Sequence, residues 1–110
     1  MNIVFPNSTI FSLEKSINYS IGGVISKQIT KNSSGNITLF SFDEGQGLSE
    51  HTAPYDAMVQ ILDGDVEIRI DGNLHVLCKG ESIIMPANHP HSLHALTKFK
   101  MLLTMIKTNL

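Results

Sequence analysis

The sharpest alternation in the chain lies at DVEIRI, where Val66, Ile68 and Ile70 interleave with Asp65, Glu67 and Arg69. A period of two marks a strand with one face buried and the other wet. Asp71-Gly72 follows, a pair that accepts the left-handed backbone of a tight hairpin, and LHVLC then returns antiparallel. The same reading extends in both directions. VISKQIT (24–30) and ITLFSF (37–42) mix β-branched, aromatic and polar residues as strands do, and the NSSGN cluster between them predicts a turn. Met58 to Leu62 predicts a strand running into Asp63-Gly64; SIIM is a further strand, ended by Pro86; SLHAL and FKMLLTMI complete the set. A short strand is also expected over 8–13, and helical spacing is absent except near Leu13 to Ile17. Short strands with frequent turn signals predict an all-β antiparallel barrel or sandwich.

The last strand adds a constraint. Phe99, Met101, Leu103 and Met105 share one face, while Leu102, Thr104 and Ile106 share the other. A strand apolar on both faces is buried on both. One face is expected to fill the barrel, the other to pack against a second sheet or a second subunit.

Composition narrows the class of protein. A length of 110 residues gives one domain over 1–110, with 1–20 as an N-terminal strand or arm. An apolar fraction of 42% supports a sizeable core. The eight basic residues are scattered in a chain of formal charge −2, which argues against nucleic acid as a partner. No window approaches the roughly 20 apolar residues of a membrane helix, and MNIVFPNSTIF has neither the charged leader nor the apolar run of a signal peptide. Cys78 is the single cysteine, so no internal disulfide ties the fold to an oxidising compartment, and its strand setting suggests a packing role. Cytoplasmic residence is the expectation.

Two stretches carry the candidate chemistry. In GQGLSEHTAPYDAMVQILDG, five residues separate Gly45 from His51, and Gly64 closes the run. In GESIIMPANHPHSLHA, five residues separate Gly80 from Pro86, and His91 follows. These spacings resemble the two motifs of the cupin superfamily. The first is Gly, five residues, His-x-His, three or four residues, Glu, six residues, Gly; the second is Gly, five residues, Pro-x-Gly, two residues, His, three residues, Asn. The resemblance implies an antiparallel double-stranded β-helix, or jelly-roll barrel, over 37–106. It also adds weight to a homodimer, because cupins pair through sheet faces or exchanged N-terminal strands.

The departures bear on activity. Ala53 stands where the motif has its second His, Ala57 where it has Glu, Asn88 where it has the middle Gly, and Ala95 where it has the final Asn. A metal-binding cupin holds its ion with three His and one Glu, and this chain keeps His51 and His91 of those four. His89, two residues before His91, is the best-placed substitute ligand for a divalent Zn, Fe, Mn or Ni ion. His94 has the parity of an outward residue, His75 lies on a distant hairpin, and Asp56 suits a brace for the 52–57 turn. The pocket is expected at the barrel mouth, lined by His51, Ala53, Ala57, Val59, His91 and Leu93, with Phe99 and Met101 from the last strand. Alanines in place of His and Glu make such a cavity roomier and more apolar. Two functions stay open: a binding module for a small, partly apolar molecule, or a metal-dependent enzyme resembling cupin dioxygenases or isomerases, with His51, His91 and a non-standard third ligand.

Overall fold

The turn signals are where the chain reverses. Asp71 and Gly72 take φ of 52° and 79°, and the strands they join pair from Ile70↔Asn73 to Asp65↔Cys78. The structure, a computed structural model, describes residues 5–107. Its nine strands are β1 (Val24–Asn32), β2 (Gly35–Phe42), β3 (Gly47–His51), β4 (Tyr55–Asp63), β5 (Asp65–Ile70), β6 (Asn73–Cys78), β7 (Ser82–Met85), β8 (His91–Ala95) and β9 (Phe99–Lys107). They form a five-stranded sheet in the order β1-β2-β9-β4-β7 and a four-stranded sheet in the order β3-β8-β5-β6. Every pairing is antiparallel, as a jelly-roll requires.

The inner faces of the two sheets make the core. Val66, Ile68 and Ile70 of β5 point inward as their alternation predicts, against Leu93 and Ala95 of β8. Ala57, Val59 and Ile61 of β4 line up beside Phe99, Met101 and Leu103 of β9. Phe42 and Phe99 stack at 4.6 Å with their planes 2° apart and close one end of the barrel.

Two expectations about the ends of elements change. Residues 8–13 form no strand: Ser8 takes a φ of 59°, Ile10 is wholly exposed, and among the described residues no strand pairs with them. A single 3-10 turn, Glu14–Ser16, stands where weak helical spacing occurs. Conversely β3 forms without any alternation of its own, because pairing with β8 supplies its hydrogen bonds.

Residues 14–19 of the same chain cover the outer face of β9 at its Lys100 end, while Ile106 at the other end stays exposed. Leu39 is fully buried yet stands apart from the inner cluster. It shares its outward face with Lys27, Leu102 and, one step along, Ser41 and Lys100. Those polar neighbours hold the covering segment: Lys27 Nζ donates to Ser16 O at 2.9 Å, Ser41 Oγ to Asn18 O at 2.7 Å, and Lys100 Nζ to Glu14 O at 2.6 Å. Ile17, 1% exposed, is the apolar plug of this layer. Tyr19 completes the clasp, its hydroxyl donating to Asp63 at 2.5 Å, with Lys98 and Lys100 within about 5 Å of its ring.

Candidate functional site

A bulge in β3 builds the polar part of the mouth. Leu48 pairs with Leu93 and His51 with His91, so Ser49 and Glu50 together oppose Ser92 alone. Simple alternation would turn His51 away from the face that Leu48 occupies. The extra residue restores it to that face, which is how bulges re-aim side chains at functional rims. The two imidazoles then meet edge to face, with centroids 4.3 Å apart and planes at 68°. On the opposite side of the opening, Asn88 takes a φ of 64°, filling the left-handed position where the cupin motif has glycine. Its N–H donates to Ala53 O at 2.8 Å, and Ala87 N–H donates to Asp56 Oδ1 at 2.9 Å. Asp56 thus braces the loop between β7 and β8 and not its own 52–57 turn.

Hydrogen bonding fixes which nitrogen each imidazole presents. His51 Nδ1 lies 2.7 Å from Ser49 O and His91 Nδ1 lies 3.1 Å from His89 O. A carbonyl oxygen only accepts, so each Nδ1 carries a proton, and in the neutral ring Nε2 keeps its lone pair. His91 is held neutral: burial pushes its pKa below the ordinary histidine value, the bond to His89 O opposes that shift, and the neighbouring His51 adds to it. His51 stands exposed at the rim, while His91 is 6% exposed.

Behind the pair lies a small cavity of about 50 Å³. Of the residues expected there from sequence, His51, Ala53, Ala57, His91, Leu93 and Met101 line it. Val59 and Phe99 do not. Val59 is one inward step deeper than Ala57 and fully buried, and Phe99 stacks on Phe42 at the other end of β9. The remaining walls come from Leu48, Met85, Leu103 and Met105. Leu103 and Met105 belong to the inward face recognised in β9, but which end of that strand reaches the mouth depends on register. Ala57 pairs with both Met105 and Met85, and that pairing selects them.

The other candidates sit elsewhere. His89 is exposed and its Nδ1 meets Asp71 Oδ2 at 2.8 Å; it does not line the cavity. His94 is exposed opposite Gly47, and His75 is exposed on β6. Cys78 is not a packing residue: it is exposed, and its thiol donates to Glu81 Oε1 at 3.2 Å. That bond holds the thiol pKa up, the reverse of what a nucleophilic cysteine needs.

The divalent ion that the cupin resemblance implies finds too few donors here. Zn, Fe, Mn and Ni take three or more converging protein ligands. His51 and His91 supply two, alanines hold the other two motif positions, and among the described residues no group of three or more His, Cys, Asp or Glu comes together. The residues present do not fit a resident ion bound in that manner.

Sheet order, motif spacing and paired histidines together define a cupin barrel. The family model for the cupin domain matches residues 38–107, and the chain belongs to that family. Among solved structures it is similar to a conserved protein of unknown function from Streptococcus pyogenes, at 34% identity and a TM-score of 0.90, covering 96% of this chain and 93% of that one. A cupin superfamily protein from Desulfitobacterium hafniense is 26% identical with a TM-score of 0.88, covering 94% of this chain and 95% of that one. A cupin 2 conserved barrel domain protein from Leptotrichia buccalis is 38% identical with a TM-score of 0.86, covering 88% of this chain and 47% of that longer one. No curated protein matches the sequence. Among the described residues no helix is long and apolar enough to cross a membrane.

Proposed function

We propose that this cupin is a binding module for a small, largely apolar molecule, held in the barrel mouth with the His51–His91 pair as its polar contact. The composition of the cavity wall carries the reading. Eight of its ten lining residues, Leu48, Ala53, Ala57, Met85, Leu93, Met101, Leu103 and Met105, are apolar, and the two histidines are the only polar side chains. A concave apolar site with a few placed polar groups is what small-molecule recognition uses. The methionines favour such a role, since their flexible thioethers adapt to a ligand's shape.

The methionines also provide the test. Protein labelled with methyl-¹³C methionine is titrated with cyclohexanol. Met85, Met101 and Met105 should shift, while Met58, which lines a separate outer groove with Ile84 and Ile106, should not. Ala57→Phe, and Ala53→Leu at the half-buried rim, should each abolish the shifts with the fold intact. Absence of any shift at the three cavity methionines overturns the proposal. So does about one equivalent of transition metal in protein purified without chelator but missing from a His51→Ala/His91→Ala variant, a result that belongs to the metal-dependent reading.

A further inference from the structure

The orientation of the two imidazoles selects the chemical class of the ligand, an inference that rests on the binding role just proposed. We infer that the mouth takes a hydrogen-bond donor, an apolar molecule carrying a hydroxyl or N–H group, and discriminates against carbonyl compounds and carboxylates. Both Nδ1–H groups are already spent on backbone carbonyls, at Ser49 O and His89 O. The nitrogen each ring keeps free for a ligand is therefore Nε2, whose lone pair only accepts. None of the other lining side chains, which are Leu, Ala and Met, offers a donor to offset that polarity. An alcohol entering the cavity buries its carbon skeleton against the leucines and methionines and gives its proton to Nε2. A ketone of the same shape meets lone pair with lone pair, loses its water and gains no partner. A carboxylate does worse, because it brings a negative charge into a wall without a cation.

Water at the open rim cannot replace the missing donor deep in the site. His51 is exposed and can exchange water for ligand freely, but His91 is buried and its environment disfavours the protonated, doubly donating ring. Selectivity is therefore expected to centre on His91, with His51 contributing at the rim.

An isosteric series tests this directly: cyclohexanol, cyclohexanone and cyclohexanecarboxylate, titrated at about pH 8, where unperturbed histidine is neutral. Dissociation constants are read from the methyl signals of Met85, Met101 and Met105. Cyclohexanol should bind about tenfold tighter than the ketone, the ratio expected for one net hydrogen bond, and the carboxylate should bind weakest. His51→Phe keeps an aromatic ring at the exposed rim but removes one acceptor, and should cut the preference for alcohol over ketone. His91→Gln supplies an amide that both donates and accepts, and should bring ketone and alcohol within about twofold of each other. If the ketone or carboxylate binds the wild-type protein as tightly as the alcohol, the donor-selective inference falls while the binding role stands. If all three leave the methionine signals unmoved, the binding role itself falls. A preference for alcohol that survives both substitutions would place its origin outside the histidine pair and refute the inference.

Discussion

Gly64 and Gly72 allow a steric contact to be separated from backbone strain. Both residues have a φ of 79°, so an alanine at either suffers the same left-handed penalty, about 1 kcal/mol after the loss of unfolded-state freedom partly offsets it. Their surroundings differ. A Cβ on Gly72 meets nothing within 4 Å, whereas one on Gly64 would stand 2.1 Å from Lys98 O and 2.8 Å from both Cα and Cβ of Phe99. Two of those atoms are backbone, so relief requires β9 to move away from the β4–β5 turn. That movement would disturb Phe99, whose ring closes the barrel end against Phe42. Overpacking of this kind costs about 1–3 kcal/mol, which brings Gly64→Ala to about 2–4 kcal/mol in total and leaves Gly72→Ala near 1. Urea denaturation followed by circular dichroism should show Gly64→Ala with a midpoint well below that of Gly72→Ala at an unchanged slope. Equal midpoints would mean that the close approach of residues 98–99 to the turn contributes nothing, and the steric argument would be refuted.

Two further predictions concern the histidine pair and the N-terminal clasp. His91 takes up its proton at lower pH folded than unfolded, where its ordinary value is 6.5. Between those two values the unfolded state binds more protons, so stability should fall as pH drops below about 6.5 and level off beneath the folded value. His91→Gln should flatten that part of the curve, and parallel curves for variant and wild type would count against it. At the clasp, burial and then the bond to Asp63 hold the Tyr19 hydroxyl far above the usual tyrosine range, so it donates throughout the accessible pH range. Tyr19→Phe removes that bond but keeps the ring beneath Lys98 and Lys100, and should cost about 1–2 kcal/mol in thermal or urea unfolding. A neutral outcome would show that residues 14–19 are held by Ile17 and the lysine and serine contacts without help from that bond.

The barrel was legible because its signals are local. The alternation in Asp65–Ile70, the Asp71-Gly72 hairpin and the motif glycines each specify backbone geometry within a few residues, and the positive φ of Gly45, Gly64 and Gly80 agrees with the turns they mark. What stayed hidden depends on partners distant in sequence. Residues 14–19 carry no pattern that announces a cover for Leu39, since the cover is assembled from Lys27, Ser41 and Lys100 on three different strands. β3 has no alternation to read because it takes its register from β8.

The cavity shows the same division in finer detail. The inward face of β9 is written in its alternation, yet Phe99 and Met105 share that face at opposite ends of the barrel, and only pairing with β4 tells them apart. The bulge between Leu48 and His51 matters more, because it reverses what parity implies. A motif spacing can mark His51 and His91 as a pair without revealing that Ser49 O and His89 O take up both Nδ1 protons. Yet that detail governs the chemistry: were those carbonyls turned away, the same two histidines could present donors and would select the opposite class of ligand. The specificity argued for this mouth is thus set by backbone carbonyl orientation on the two paired strands, a property that no substitution at Ala53 or Ala57 records.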